Sequence, residues 1–399
     1  MIVSMKILSI ETSCDETSLS LFTATETASG VNFEVHSTIT QSQIDIHQEF
    51  GGVFPALAKR EHQKNLVPIL LKILNQEAIE DSEIASNPEI EKILARESDL
   101  LDSFLKYVTP IQNPKIDTIC VTSGPGLEPA LWVGISFAKA LGLLWNIPVV
   151  PVNHMEGHIL SVLVPEHNSD QGNSFSVQAE LFQFPALALL ISGGHTEIVL
   201  VKEVGDYEII GKTRDDAVGE AFDKVARILG LPYPGGPEVS KLALLADKNI
   251  STDIVLPRPM LHTKDYDFSF SGLKTATLYL TNDIKEKNNG IIPEDINASI
   301  AYEFQEAATE VIVKKTLSAI HDFGVQTLIV GGGVSANKRI KELLKQKVSE
   351  IIPTENIYFP SRELTGDNAL MIGLAGYFKI KKSPDTVYDD IRANGNLVL

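Results

Sequence analysis

Two histidines four residues apart, His154 and His158 in the run His154-Met155-Glu156-Gly157-His158, are the residues best spaced for chemistry. On a helix, side chains at i and i+4 project from one face, so the two imidazoles can take adjacent corners of one metal ion. Two ligands alone bind weakly, and a third must come from elsewhere in the chain. Further along stands a glycine turn, Ser192-Gly193-Gly194-His195-Thr196, directly after the apolar stretch Ala186 to Ile191. Glycines there let backbone amides approach an anionic group with no side chain in the way. Half a metal site and a phosphate cradle in one chain point to nucleotide chemistry. A zinc-protease reading needs a glutamate right after the first histidine as general base, and Met155 occupies that place.

Other turns carry weaker signals, each with a bland alternative. Glu11-Thr12-Ser13-Cys14-Asp15-Glu16-Thr17 sets hydroxyls and carboxylates directly after a first strand. Taken alone it is a hairpin turn, and its carboxylates would repel a phosphate unless a cation intervenes or they serve the chemistry. Gly331-Gly332-Gly333-Val334-Ser335-Ala336-Asn337 suits a backbone pressed against a flat or anionic ligand, with Asn337 either capping the next helix or offering its amide to a purine or ribose. Glu220 and Lys224 form an i,i+4 pair able to staple an exposed helix, and Asp223 between them could hold a ribose diol. Tyr233-Pro234-Gly235-Gly236-Pro237 is a rigid turn that needs no function. Asp367 stands ahead of the apolar helix Ala369 to Phe378 and reads equally as a helix N-cap or a carboxylate ligand.

The elements that must position these residues alternate. Lys6 to Ile10, Asp117 to Val121, Ala186 to Ile191, Glu197 to Val201 and Thr327 to Val330 are short, β-rich and bounded by turn residues. Leu127 to Trp145, Asp216 to Leu229, Ile296 to Asp322 and Asn337 to Gln346 carry helical spacing of apolar residues. Such alternation predicts α/β layers, and 399 residues suggest two domains or one α/β unit used twice. Hydrophobic and charged fractions of 44% and 22% fit a folded chain. No apolar run approaches the roughly 18 residues that span a bilayer. The N-terminus reads as neither signal peptide nor anchor. Cys14 and Cys120 form no CxxC pair or disulfide framework, which fits a reducing compartment, the cytoplasm.

A formal charge of −18 is awkward for nucleic-acid binding by this chain unaided. Part of it is concentrated between Asn75 and Ser103, where Glu77, Glu80, Asp81, Glu83, Glu89, Glu91, Glu97, Asp99 and Asp102 face only Lys92 and Arg96. That run reads as a solvated helix face or as a docking surface for a partner. The polar stretch Pro165 to Gln178 reads as a surface loop or interlobe linker.

Taken together, the motifs resemble one family, the tRNA N6-adenosine threonylcarbamoyltransferases, once labelled O-sialoglycoprotein endopeptidases. The resemblance is carried by Ile10 to Thr17, by His47 through Gly51-Gly52-Val53-Phe54-Pro55 to Arg60 and His62, and by Ser123-Gly124-Pro125-Gly126-Leu127. It continues through the histidine pair, Ser192 to Thr196, Thr213 to Asp216, Gly219 to Lys224, Tyr233 to Pro237, Phe268 to Lys274, Gly332 to Asn337 and Asp367-Asn368, in family order over nearly the whole chain.

The resemblance implies an α/β fold of two actin, hexokinase and Hsp70-like lobes with a nucleotide cleft between them. The N-terminal lobe would run over residues 1–160, with an acidic insertion at about 75–103, completed by a helix at about 365–380; the C-terminal lobe would cover 161–364. The implied reaction moves a threonylcarbamoyl group from threonylcarbamoyl-AMP to N6 of the adenosine beside the anticodon in tRNAs reading codons that begin with A, releasing AMP. By position, His154, His158 and Asp367 match the family's ligands for one divalent metal per subunit, Fe2+ foremost and Zn2+ second. Ile191, Ser192, Gly193, Gly194, His195, Asp223, Gly236 and Asn337 match its contacts to the adenylate, and Glu11 in the first cleft turn is the candidate for receiving the amine proton. The short tail after Phe378 fits a bacterial-type protein, whose partners would be a degenerate, TsaB-like paralogue and a small, TsaE-like ATPase, with no membrane. The rival classes are a small-molecule kinase of the same superfamily and the older metalloprotease label.

Overall fold

Both sheets begin as an antiparallel ribbon and are extended by parallel strands. The computed structural model describes residues 4–76, 86–165, 174–178, 182–246, 254–388 and 390–399. The chain divides into two compact units, one of Met1–His47, Val53–Leu181 and Gly366–Leu399, the other of Gln48–Gly52 and Phe182–Thr365.

In the first unit, β1 (Ser4–Glu11), β2 (Glu16–Thr27), β3 (Gly30–Ser42), β4 (Thr118–Gly124), β5 (Val149–Asn153) and β6 (Ser174–Gln178) lie in the order β5-β4-β1-β2-β3-β6. The β1, β2 and β3 ladders are antiparallel, and β4 and β5 join in parallel. In the second unit, β7 (Ala186–Ile191), β8 (Thr196–Glu203), β9 (Asp206–Lys212), β10 (Leu328–Gly331) and β11 (Ile357–Tyr358) lie in the order β11-β10-β7-β8-β9. Again three antiparallel strands are extended by two parallel ones. With β6 set aside the two orders coincide, so one α/β plan is used twice. The last parallel step in each sheet crosses through a helix, Glu128–Trp145 in the first and Lys338–Val348 in the second, as parallel pairing demands.

All five expected strands form, at β1, β4, β7, β8 and β10, and so do the expected helices. Strands β4 and β7 are buried along their whole length, which is why the apolar runs Ile119 to Val121 and Ala186 to Ile191 are readable. The long β2–β3 ribbon is absent from the sequence expectation, since its Ser- and Thr-rich text lacks a clean apolar period. Pairing of β6 with β3 carries the first unit past residue 160, where the sequence reading ended the lobe.

The acidic segment is partly visible. Glu77, Glu80, Asp81 and Glu83 lie outside the described residues, as do 166–173 of the polar stretch. Beyond them, Asn87 caps the helix Pro88–Ile93, accepting from the amides of Glu89 and Ile90. Glu97 departs from the solvated-face reading: it is 1% exposed, pairs with Lys59 at 3.0 Å and accepts from Gln63 of the helix Pro55–Ile73. Among the described residues no helix is long and apolar enough to cross a membrane.

Candidate metal centre and ligand turn

The histidine pair sits on a short helix, His154–Leu160, that starts where β5 ends. Asn153 caps it, its side-chain oxygen accepting from the amides of Met155 and Glu156 at 2.9 and 3.4 Å. The two rings lie 4.7 Å apart, edge to face. Gly157, between them in sequence, is tightly packed: a Cβ there would lie 3.0 Å from Ile372 and 3.1 Å from Met371, so those side chains would have to give way. That close approach seats the helix Ala369–Lys382 against the histidine helix. Asn368, and not Asp367, caps this second helix, accepting from Met371 at 3.0 Å. Asp367 is thereby released from the capping role and turns its carboxylate to the histidines, with Oδ1 at 3.4 Å from His154 Nε2 and 3.3 Å from His158 Nε2.

These three side chains fit a cation. One donor atom from each lies within 4.8 Å of the others. Separations near 3.4 Å are those of two donors each about 2.1 Å from a tetrahedral ion. His158 is fully buried, yet neither of its ring nitrogens makes a hydrogen bond. A buried, unpartnered polar group costs about 1–3 kcal/mol, a cost that a bound ion would remove. The surroundings are over-supplied with carboxyls as well. Burial, then Asp367 and Asp15, push the Glu16 carboxyl well above its ordinary range. Burial opposes charge on His154, but Asp367 and Glu11 outweigh it and hold that imidazole well up.

Glu11, expected at the reacting centre as a proton acceptor, is completely buried at the end of β1. Its Oε2 accepts from Thr122 Oγ1 at 2.6 Å and lies 3.0 Å from His154 Nδ1, and its Oε1 accepts from the amide of Ser13. The Glu11 carboxylate can only accept, so it keeps a proton on His154 Nδ1 and leaves Nε2, which faces Asp367, as the nitrogen that would give up its proton to bind an ion. Ser13, whose Oγ lies 3.3 Å from the same Nδ1, and Thr122 are supports that sequence reasoning did not single out, although both stand inside the quoted motifs.

The turn after Glu11 is the hairpin that joins β1 to β2, and it is braced from behind. His62 Nε2 donates to the carbonyl of Cys14 at 3.0 Å, while its Nδ1 accepts from Thr17 Oγ1 at 2.8 Å. Gln43 lies 3.3 Å from that Nδ1 and accepts from His47 Nε2 at 3.2 Å. Burial lowers the His62 pKa from 6.5 to about 4. The unfolded chain therefore takes up a proton first as pH falls, and stability drains away between pH 6.5 and about 4. From pH 6.5 to 5 this group alone removes about 2 kcal/mol. His62→Gln should shrink the loss by about that amount in urea unfolding at pH 7 and pH 5; equal losses in both chains would disprove the assignment.

The adenylate candidates occupy the second unit. Ser192 closes its turn with an amide bond to the His195 carbonyl at 2.9 Å and a hydroxyl that accepts from the His195 amide at 3.1 Å. Gly193 and Gly194 are exposed, and a Cβ on either would meet nothing within 4 Å. Crowding within the protein therefore does not explain glycine at these positions, and the backbone there is open to approach from outside. Gly219, at the start of the helix Val218–Ile228, donates to the Ser192 carbonyl at 3.3 Å. Asp223 of that helix accepts from the Gly235 amide at 2.7 Å. The expected turn at Tyr233–Pro237 is largely the first turn of a helix, Gly235–Ala243. Parallel pairing of β10 with β7 sets Gly331 beside Leu190, so Gly332 and the Ser192 turn leave neighbouring strand ends. Asn337 proves to be a cap: its oxygen accepts from Ile340 at 3.1 Å, and its amide nitrogen donates to Ser240 at 3.1 Å and Gln305 at 3.2 Å. That side chain is spent on the protein and supports the turn from behind.

Known proteins similar to this chain belong to one family. A family model described as tRNA N6-adenosine threonylcarbamoyltransferase matches residues 34–86 and 99–374, breaking off inside the acidic segment. Curated proteins of that name are similar along almost the whole chain. The one from Thermosipho africanus is 41% identical over 380 residues, 95% of both chains. That from Chromobacterium violaceum is 40% identical over 378 residues, 94% of both. Among solved structures, full-length HypF in a phosphate- and nucleotide-bound form is similar in fold, with a TM-score of 0.50 and 11% identity over 96% of this chain and 47% of that one.

Proposed function

Because the chain belongs to the tRNA N6-adenosine threonylcarbamoyltransferase family, an enzyme family acting on tRNA, we propose that His154, His158 and Asp367 hold a divalent metal for that transfer while the Ser192 turn holds the donor. Iron is the first choice of ion and zinc the second, both being compatible with two imidazoles and one carboxylate. The donor is threonylcarbamoyl-AMP and the acceptor the adenosine beside the anticodon. A small-molecule kinase has no use for the histidine group, and the protease reading lacks its base at Met155.

The reaction needs positioning more than force. The adenine N6 amine attacks the carbamoyl carbon of the mixed anhydride, a C–N bond forms, the C–O bond to phosphate breaks, AMP leaves with the electron pair, and the proton lost from N6 passes to water. The exocyclic amine is a poor nucleophile, so the enzyme must orient it and stabilise charge on the departing phosphate. A divalent ion held by His154, His158 and Asp367 would supply Lewis acidity. With the amides of Ser192 and His195 committed inside their turn, those of Gly193 and Gly194 are offered to the phosphate, next to the positive end of the helix Val218–Ile228. Asp223 fixes the ribose, and Gly236, whose missing Cβ leaves open space, lies along the adenine end. Glu11 acts through His154: its oxygens are both occupied, so it orients the imidazole and does not take the amine proton itself.

The observation that carries this reading is the buried His158, whose nitrogens make no hydrogen bond and whose Nε2 lies 3.3 Å from Asp367 in a group with His154. The test supplies threonylcarbamoyl-AMP and unmodified tRNA, with a paralogous subunit and ATPase of the bacterial kind, and seeks the modified nucleoside by mass spectrometry. Product should form with the intact chain and fail with His154→Ala; equal yields would remove the metal from the mechanism. Asp223→Asn keeps an acceptor for Gly235 yet weakens the ribose contact, so it should raise KM for the donor about tenfold, about 1.4 kcal/mol, with metal content unchanged. An unchanged KM would move the ribose elsewhere.

A further inference from the structure

We propose that the segment Ile391–Val398 is a strap that positions the metal ligands, holding the Ser123–Leu127 turn and the cap of the histidine helix in register. One end of the strap is anchored: Ile391 is 3% exposed in the core of the first unit, and Lys139 donates to its carbonyl at 2.6 Å. From there the backbone crosses the glycine turn. Asn394 donates to the Ser123 carbonyl at 2.9 Å, and Gly126 donates to the Gly395 carbonyl at 3.2 Å. The crossing is so close that both backbones need glycine. A Cβ on Gly124 would come within 2.0 Å of the Asn394 carbonyl oxygen, and one on Gly395 within 2.8 Å of the Gly126 oxygen.

Two lines of contact lead from the strap to His154. Leu127, beside the strapped turn, donates to the Ser13 carbonyl at 2.7 Å, and Ser13 lies against both His154 and Glu11. Asn153 donates from Nδ2 to the Val398 carbonyl at 3.2 Å, which fixes its amide so that Oδ1 faces the helix amides of Met155 and Glu156. Gly124 and Asn153 are register partners on β4 and β5, so the strap clamps two adjacent strand ends at once. Without it the cap amide is free to rotate and the turn under Ser13 loses its cover. Preorganised ligands bind an ion more tightly than loose ones, and outer supports of a metal site are worth about 10- to 100-fold in affinity.

The inference rests on the metal group proposed above, and its test separates the two. Zinc affinity is measured by chelator competition, and hydrogen exchange on the metal-free protein, for the intact chain, for a chain stopped after Arg392, for Asn153→Ser and for both changes together. Serine keeps the cap but cannot reach Val398. The shortened chain should bind zinc about tenfold more weakly and exchange faster at Ser123–Leu127 and His154–Leu160; Asn153→Ser should follow in the same direction, and the double change should add little, since both cut one link. If the intact chain binds no zinc, the metal reading falls. If it binds zinc and neither change alters affinity or exchange at those two segments, the strap is only a stabilising tail.

Discussion

His158→Leu abolishes metal binding and lowers threonylcarbamoyl transfer by about a hundredfold or more, while leaving the metal-free protein at least as stable as before. The two halves of that expectation come from one fact, that a fully buried imidazole keeps both nitrogens without hydrogen-bond partners. A histidine retained for the fold would be bonded, and its loss would cost stability. Here the metal-free chain carries a buried imidazole with no hydrogen bond, its Nε2 meeting only the Asp367 carboxylate at 3.3 Å, a burden of up to about 1–3 kcal/mol, and leucine of similar volume relieves it without opening a large cavity. With His154 and Asp367 alone, the ion has two protein ligands and is held weakly. Thermal unfolding with and without added zinc reads both parts: zinc should raise the melting temperature of the unaltered chain and leave that of the variant unchanged. A variant that still gained stability from zinc, or that melted well below the unaltered chain in chelator, would return His158 to a structural role.

Glu11→Gln should weaken zinc binding about 10- to 100-fold, and saturating metal should restore most of the transfer rate. Three donors converge on the two Glu11 oxygens, from Ser13, Thr122 and His154. Glutamine offers one oxygen, and its NH2 group must then face another donor, so the His154 tautomer is no longer fixed. Such a loss lives in the affinity, about 1.4–2.8 kcal/mol, and disappears once the site is filled. A general base behaves differently: its removal costs about 10²–10⁴-fold in rate however much metal is present. Titrating transfer against metal concentration therefore decides between the two roles, and a rate that stays depressed at saturation would restore Glu11 as the proton acceptor.

How each residue became legible depended on whether its signal was local. His154 and His158 declare themselves through helical spacing, and Gly193–Gly194 through following an apolar strand; both signals need only neighbours in the chain. Asp367 and Asn337 were ambiguous between cap and ligand. The fold decides the capping question in opposite senses, because Asn368 takes the capping bond beside Asp367, whereas Asn337 caps its own helix and gives its amide to Ser240 and Gln305. Glu97 illustrates the same limit in the acidic run, since a solvated-face pattern cannot show that Lys59 and Gln63, more than thirty residues earlier, donate to its carboxylate inside the unit.

By itself the sequence determined the alternating α/β plan, the glycine-rich turns and the family, since periodicity, glycine placement and motif order are written along the chain. Only the tertiary structure decided which carboxylate faces the histidines, which one orients them from behind, and that Asn394 and Gly395 lie across the turn at Ser123–Gly126. Those are pairings over more than a hundred residues. They are fixed by where the strand ends and helix starts of a packed core come together, and no local pattern encodes that meeting.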